Sequence, residues 1–331
     1  MNVLGLETSC DETGAAVVRD GRDILSNVVA TSLKEHRKFG GIIPEIASRR
    51  QLQFINRVVR AALKEAGVPL NAIDLIAVTE SPGLIGSLLV GISFAQALSA
   101  ALSKPLIKVD HIKAHLYANF LSPPPHSLLP ALPAIGLVIS GGHTSLYHLK
   151  DFRDFKLIGK TLDDAAGEAF DKTGRILGLD YPGGPAIDRL AKRGGNSEIR
   201  FTCAALPDTL DFSFSGIKTA LFYHHRDHHR EPNYSKAKVA FAFQDSLTSV
   251  LVKKCIKACE QFNTKTLLIG GGVAANSYLR LMLTAQCAKK ALRLFFPPLN
   301  LCLDNAAMIA GLGFKLYTLQ GGKRRKRRWE D

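Results

Sequence analysis

The chain has few of the patterns that crosslink a protein or carry it out of the cell. Its six cysteines include no Cys-x-x-Cys pair. Cys255 and Cys259 lie four residues apart in a helical pattern, which is typical of small buried hydrophobes. Residues 1–8 predict a β-strand that carries Glu7, which excludes a signal peptide there. We therefore expect reduced thiols and a cytoplasmic protein.

Acidic residues are fewer than basic ones. The sequence has 29 Asp and Glu against 43 Lys and Arg, and its formal net charge is +14. This excess favours a polyanionic partner such as nucleic acid, although an ordinary basic cytosolic protein has the same balance. Residues 321–331 hold six of the basic side chains, and we expect this tail to be disordered. Four arginines of a predicted helix over residues 44–66 are candidates for phosphate contacts, or else form a solvated face: Arg49, Arg50, Arg57 and Arg60.

Charge is absent from residues 84–103, a run long enough to cross a bilayer. The run contains several serines, two glycines and Gln96, so we predict a central helix buried between layers instead. Apolar residues make up 46% of the 331 residues, which suffices for the cores of two domains. Prolines are concentrated in residues 122–133, where we expect the boundary between the domains.

A missing glutamate limits what the histidines of residues 109–117 can do. His111 and His115 are four residues apart, so a helix places both imidazoles on one face. Such a pair can hold a divalent metal together with a carboxylate, or it can be two unrelated surface histidines. A zinc-protease helix needs glutamate directly after the first histidine as general base, and here that position is Ile112. The pair therefore lacks the base of a peptidase.

The second half of the chain repeats the strand, small-residue loop and strand with which the first half begins. Residues 4–9 align with residues 135–140. Loops of this kind can hold phosphate between domains, although a hairpin with a polar tip is an equally plain explanation. Glycine-rich turns before two predicted helices, at residues 81–87 and 270–276, suit either anion binding or close packing.

Several further elements follow from periodicity and turn residues. Residues 161–177 predict a helix that carries Asp163 and Asp164, residues 201–223 predict irregular structure, and the histidine-rich residues 223–235 predict an exposed loop. Asp304 precedes a predicted helix over residues 306–317. It is either the N-cap of that helix or the carboxylate that completes a metal site with His111 and His115.

Ten short blocks occur in the order that is typical of one known family. They are ETSCDET at 7–13, GIIPEIASR at 41–49, PGL at 82–84, HIKAHL at 111–116, SGGHT at 140–144, DDAAGEAFDK at 163–172, YPGGP at 181–185, FSFSG at 212–216, GGVAAN at 271–276 and DNAAM at 304–308. Together they resemble the bacterial tRNA N6-adenosine threonylcarbamoyltransferases, which modify adenosine 37 of tRNAs that read ANN codons. The resemblance runs from Val3 to about Tyr317.

The resemblance implies an α/β chain with the two-lobed fold of actin, Hsp70 and sugar kinases and a duplicated mixed-sheet core. We place the N-terminal lobe at residues 1–125, the C-terminal lobe at 126–320 and the tail at 321–331. The resemblance also implies that His111, His115 and Asp304 bind one divalent metal, expected to be iron, with zinc or manganese as alternatives. It implies a nucleotide cleft between the lobes, lined by Val138, Ile139, Ser140, Gly141, Gly142, Asp171, Gly184, Asp188 and Asn276. The chain departs from the family's usual residues at Lys113, Ala274 and Leu303, none of which is an expected ligand.

The implied reaction transfers threonylcarbamoyl from threonylcarbamoyl-AMP to N6 of the tRNA adenosine and releases AMP. Asp11 or Glu12 would orient the amine or accept its proton. The implied partners are tRNA, a paralogous two-lobed subunit and a small ATPase, with no membrane. Two alternatives remain at this stage: an ATP-dependent kinase or ATPase of the same fold, and a glycoprotein metalloprotease, an older label for the family.

Overall fold

The computed structural model describes residues 1–121, 129–195, 197–204 and 206–321, so the predicted tail lies almost wholly outside the described residues. The strands are β1 Asn2–Glu7, β2 Glu12–Arg19, β3 Asp23–Thr31, β4 Leu75–Ser81, β5 Leu106–Asp110, β6 Ala134–Ile139, β7 Thr144–Leu149, β8 Phe155–Lys160, β9 Thr266–Gly270 and β10 Arg293–Phe295. The helices are α1 Leu33–Arg37, α2 Pro44–Ala66, α3 Ile85–Leu102, α4 His111–Tyr117, α5 Ala166–Ile176, α6 Gly183–Ala191, α7 Ser215–His228, α8 Lys236–Gln261, α9 Ser277–Lys289 and α10 Ala306–Leu319.

Two five-stranded mixed sheets are built on the same plan. The first has the order β3-β2-β1-β4-β5, and the second has the order β8-β7-β6-β9-β10. In each, three antiparallel strands are followed by two parallel ones. The repeat also holds at the level of register, because Leu4 lies opposite Ile76 and its counterpart Ile135 lies opposite Leu267. The predicted α/β fold with a duplicated mixed-sheet core is confirmed.

Each sheet buries its own apolar core. The central strand β1 is apolar on both faces over residues 3–6, as expected of a strand covered on two sides. In the first unit its core neighbours come from the next strands and from α2: Val17, Ile76, Val78, Val58 and Val59. In the second unit, β6 and β9 pack with α5 and α8 around Phe170, Phe212, Phe214 and Phe243.

The last helix belongs to the first unit rather than the second. Contacts group residues 1–129 with the chain from Leu303 onward, and residues 130–302 form the second unit. The sequence-based division instead gave residues 126–320 to the second lobe. Helix α10 packs on β1 because Gly5 has no side chain where the backbone of Ala306 and Ala310 lies, and a Cβ on Gly313 would lie 2.5 Å from that of Ala77.

The prediction that helix α3 is buried between layers is wrong. Its buried residues form a single stripe of small side chains: Ser87, Gly91, Ala95 and Ser99. On the opposite side, Ile85 is 86% exposed and Leu89 is 63% exposed. Among the described residues, α3 is the one helix long and apolar enough to cross a membrane, with 28% of it buried. Its ends lead into β4 and β5, which pair in one sheet, as in a crossover helix.

Two predictions in the second unit are wrong in related ways. Helix α5 begins at Ala166 rather than near residue 161, and α7 forms where irregular structure and a loop were predicted. Asp163 lies before α5, where its carboxylate accepts hydrogen bonds from Ser213 Oγ, the Phe214 amide and Ser215. Because the residue that satisfies the start of α7 is about fifty positions away in sequence, no local signal marks that helix.

Candidate functional site

The histidine pair lies at the start of α4, directly after β5. The Asp110 side chain accepts a hydrogen bond of 2.9 Å from the Lys113 amide and so caps the helix. Both imidazoles are buried, and the Nε2 atoms of His111 and His115 are 3.2 Å apart. The predicted placement of the two rings on one helix face is confirmed.

Asp304 reaches the same point from the start of α10. Its Oδ1 lies 3.5 Å from His111 Nε2 and 3.2 Å from His115 Nε2. The N-cap of α10 is Asn305, whose side chain accepts a hydrogen bond from the Met308 amide. The interpretation of Asp304 as the cap is therefore wrong. The close packing of α10 on Gly5 fixes where this helix begins, and with it the position of the carboxylate.

These three side chains fit a divalent metal. Their nearest ligand atoms all lie within 4.8 Å of one another. Two imidazole nitrogens point at the same carboxylate oxygen, so a small cation near their common centre would meet all three ligands. A set of two histidines and one carboxylate suits iron, zinc or manganese and leaves coordination positions open.

Glu7 lies on the other side of His111. Its side chain is 1% exposed, and its Oε2 is 2.9 Å from His111 Nδ1. Burial alone would raise the pKa of Glu7, but His111 lowers it; burial alone would lower the pKa of His111, but Glu7 and Asp304 raise it to about 9. The pKa of His115 is lowered by burial. Sequence reasoning assigns no role to Glu7, although a carboxylate that ends an apolar strand is a usable signal.

Asp11 and Glu12 stand where the first loop enters β2. Asp11 is buried and Glu12 is partly buried. Burial, then the charges of Asp304 and Asp11, raise the pKa of Glu12 to about 10. The charge of Asp304, which forms the histidine cluster with His111 and His115, thus acts on Glu12. A cation held there would favour the ionised form of Glu12.

The loop that leads to these carboxylates is fixed by side chains that sequence reasoning missed. Gln51 of α2 donates from Nε2 to the carbonyl oxygens of Cys10 and Glu12, both at 3.0 Å. Ser87 Oγ of α3 also donates to the Cys10 carbonyl. A Cβ on Gly83 would lie 2.5 Å from the Ser9 carbonyl oxygen, so close packing explains the glycine-rich turn before α3.

In the second unit, two elements lie directly against the end of β6. Val138 and Ile139 are buried in that strand, and Ser140, Gly141 and Gly142 follow it. Gly271, at a φ of 89°, lies against the Ile139 carbonyl, and Gly167 lies against the Ser140 carbonyl. This arrangement resembles the carboxyl-end loops that bind ligands in α/β sheets.

Three polar residues predicted to bind nucleotide already have partners. The Asp171 carboxylate accepts from the Gly183 amide at 2.7 Å, beside Gly184. Asp188 accepts from Ser277 Oγ, and Asn276 caps α9 while donating to Gln244. The structure thus brings Asp188 next to Asn276 and Asp171 next to Gly184. Their contact with a ligand stays a prediction.

The arginines of α2 fall into two pairs. Arg49 forms an ion pair with Glu45 at 2.7 Å, and Arg50 forms one with Glu35 at 3.1 Å. Arg57 and Arg60 are exposed, and no described acidic residue forms an ion pair with them. The second pair is therefore the better candidate for binding phosphate.

Comparison with known proteins gives one consistent result. The family model described as TsaD: tRNA N6-adenosine threonylcarbamoyltransferase matches residues 23–311. A protein of that name from Caldicellulosiruptor saccharolyticus is 49% identical over 315 residues, covering 95% of this chain and 92% of the relative. One from Caldicellulosiruptor bescii is 50% identical over 323 residues, covering 97% and 94%. Among solved structures, HypF of T. kodakarensis is similar in fold alone, with a TM-score of 0.65 and 13% identity over 97% of this chain and 48% of that one.

Proposed function

Because this chain belongs to the tRNA N6-adenosine threonylcarbamoyltransferase family, we propose that it transfers threonylcarbamoyl from threonylcarbamoyl-AMP to N6 of adenosine 37 in tRNAs that read ANN codons. The observation that carries the chemistry is the convergence of His111, His115 and Asp304 on one point. The N6–carbon bond forms, the carbon–oxygen bond to AMP breaks, and the amine gives up one proton.

The histidine cluster would hold the metal of the reaction. The ligands would be Nε2 of His111, Nε2 of His115 and Oδ1 of Asp304. When bound, a divalent ion supplies a Lewis acid for negative charge that develops on the transferred carbonyl. We propose iron, with zinc and manganese as the alternatives that the same ligands accept.

The carboxylates of Asp11 and Glu12 would act on the attacking amine. One of them orients the N6 amine and takes its proton as the new bond forms. Gln51 and Ser87 hold the backbone beside this pair, so the carboxylates approach from a fixed loop. Because AMP is a good leaving group, orientation contributes as much here as base strength.

The glycine loops of the second unit would bind the AMP part of the donor. Backbone amides at a helix start and in a tight loop suit phosphate. Since the side chains of Asp171, Asp188 and Asn276 are engaged within the protein, we assign close approach to the glycines at 141, 142 and 184.

Gly141→Ala and Gly184→Ala test this assignment. A Cβ on Gly141 meets nothing within 4 Å, and a Cβ on Gly184 comes no nearer than 3.9 Å to the rest of the protein. Their unfolding midpoints should therefore stay unchanged, while the KM for threonylcarbamoyl-AMP rises about tenfold, the result of losing about 1.4 kcal/mol of binding. Steady-state kinetics and thermal unfolding measure the two quantities.

Gly183→Ala is the matched control for those variants. Its Cβ would lie 2.6 Å from the Phe170 carbonyl oxygen, so this variant should unfold at a lower temperature. An unchanged KM in both Gly141→Ala and Gly184→Ala would remove these loops from the donor site.

The exposed arginines of α2 would contact the tRNA backbone. Replacing Arg57 and Arg60 together with glutamine should lower the slope of log affinity against log salt by about 1.5, because two phosphate contacts are lost. Binding of a tRNA that reads an ANN codon, measured at several salt concentrations, checks this. The ion-paired Arg49 and Arg50, replaced in the same way, provide the control. A slope that is the same in wild type and in the Arg57, Arg60 variant would exclude this pair from tRNA binding.

We also propose, on the resemblance, that the chain works with a paralogous subunit and a small ATPase in the cytoplasm. The exposed apolar side of α3, at Ile85 and Leu89, is where we expect a partner of matching apolar surface.

The test of the overall function is mass spectrometry of tRNA nucleosides after depletion of the protein. Loss of threonylcarbamoyladenosine supports the proposed transfer reaction. Unchanged modification would contradict it. If the purified protein instead phosphorylates a small molecule and releases ADP, the kinase alternative is favoured.

A further inference from the structure

Glu7 is an ionisable side chain at the end of the central strand β1, and the mechanism above gives it no part. Residues 3–6 of the strand are apolar, and the carboxyl group is shielded from solvent at 1% exposure. A buried carboxylate is costly unless each oxygen is hydrogen-bonded. The hydrogen-bond partners of Glu7 therefore indicate its role.

Both oxygens of Glu7 are fully engaged. The Ser9 amide donates to Oε1. The Thr79 hydroxyl donates to Oε2 at 2.6 Å, and His111 Nδ1 lies 2.9 Å from the same oxygen. The Ser9 amide can only donate, so Glu7 accepts there. An ionised carboxylate can only accept, so its partner at His111 Nδ1 is an N–H that donates to it.

This geometry defines the orientation of His111. With Nδ1–H donating to Glu7, the ring presents Nε2 to His115 Nε2 and Asp304 Oδ1, at 3.2 Å and 3.5 Å. Glu7 is thus on the opposite edge of the ring from the predicted metal and is not one of the three grouped ligands. Histidine ligands commonly donate their second nitrogen to a carboxylate in this way, which fixes the ring.

We propose that Glu7 is a positioning residue that holds the His111 ring with Nε2 aimed at the metal, with Thr79 and Ser9 holding Glu7 in turn. The proposal rests on the proposed metal-dependent function. The second histidine has no equivalent support, because His115 Nδ1 is buried without a hydrogen-bond partner among the described residues. One ligand is therefore oriented by a dedicated carboxylate and the other by packing alone.

Glu7→Gln is a sharp test because glutamine has the same shape but only one acceptor oxygen. With the glutamine oxygen toward His111 and Thr79, the amide NH₂ meets the Ser9 N–H, and this hydrogen bond is lost. In the opposite orientation the amide NH₂ meets the groups of His111 and Thr79 that donate to Glu7 in wild type. We expect Zn²⁺ affinity, measured by chelator competition, to fall by about 10- to 100-fold. Thr79→Val is the control: it removes one hydrogen bond to Glu7, keeps the Glu7–His111 contact, and should lower the affinity much less.

A purely structural role would give a different result. It would lower the unfolding temperature of the metal-free and Zn²⁺-loaded protein equally, whereas loss of ring orientation shrinks the rise in unfolding temperature that Zn²⁺ produces. The visible spectrum of the Co²⁺-loaded protein should also change in Glu7→Gln. Wild-type affinity and spectrum in Glu7→Gln would overturn the proposal for Glu7. Failure of wild type itself to bind Zn²⁺ or Co²⁺ would instead overturn the metal centre.

If Glu7→Gln does not fold, a measurement on wild type tests the orientation of the His111 ring. In the Zn²⁺-loaded protein, ¹⁵N spectra of the histidine side chains should show a protonated, hydrogen-bonded Nδ1 and a metal-bound Nε2 for His111. A metal-bound Nδ1 would contradict the proposal.

Discussion

Asp304→Ala is expected to lower the rate of threonylcarbamoyl transfer by about a thousandfold or more. The variant removes the only carboxylate of the predicted metal site, and loss of a Lewis acid costs several kcal/mol of transition-state stabilisation, of which about 4 kcal/mol corresponds to a thousandfold. The measurement is single-turnover transfer of labelled threonylcarbamoyl to tRNA at saturating donor.

The fold should survive this change. Asn305, not Asp304, caps α10, and the Asp304 side chain is 21% exposed, so no helix cap is lost and no large cavity opens. Leu303→Ala is the neighbouring control, since Leu303 is 59% exposed, and it should keep wild-type rates. Transfer by Asp304→Ala within a few-fold of wild type would show that this carboxylate takes no part in the reaction.

Asp11→Asn and Glu12→Gln form the second large expected effect. If the pair orients the amine and takes its proton, removing the acting carboxylate should lower kcat by about 10²- to 10⁴-fold, the range of general-base catalysis. The KM for threonylcarbamoyl-AMP should change little, because the loops assigned to the AMP lie in the second unit. Steady-state kinetics separate the two quantities.

Cys10→Ala is the control for these variants. Burial raises the pKa of the Cys10 thiol and so disfavours its nucleophilic thiolate form. Replacement of Cys10 should therefore leave kcat within a few-fold of wild type. If both Asp11→Asn and Glu12→Gln keep full kcat, positioning of the substrates alone drives the reaction.

The part of the site that sequence predicted best is the part encoded locally. The four-residue spacing of His111 and His115 specifies one helix face, and the structure has both rings there. The repeat of strand, loop and strand predicted two similar sheets, and the strand orders agree. The sequence allows two interpretations of Asp304, because both place the side chain at a helix start. The cap formed by Asn305 and the 3.2 Å distance from Asp304 Oδ1 to His115 Nε2 separate them.

The missed features depend on contacts between distant parts of the chain. The return of α10 to the first unit is set by Gly5 and Gly313, and nothing near residue 303 indicates it. The start of α7 is satisfied by Asp163, about fifty residues earlier. Helix α3 is uniformly uncharged, so periodicity could not show that its buried residues are confined to one stripe of small side chains.

The predicted ligands are not disturbed by Lys113, Ala274 and Leu303, the positions at which the resemblance implies other residues. Leu303 is exposed beside Asp304, and Ala274 is fully buried. The Lys113 amide supports the start of α4 by donating to Asp110, a backbone contact that any residue other than proline can make. We therefore expect this chain to bind its metal through His111, His115 and Asp304.

The most direct test is the transfer assay on protein stripped of metal and then supplied with Fe²⁺. Wild type should lose transfer on stripping and regain it with Fe²⁺, while Asp304→Ala should regain none under the same conditions. Full transfer by the stripped wild-type protein, or restoration of Asp304→Ala to wild-type rates by Fe²⁺, would contradict a metal held by His111, His115 and Asp304.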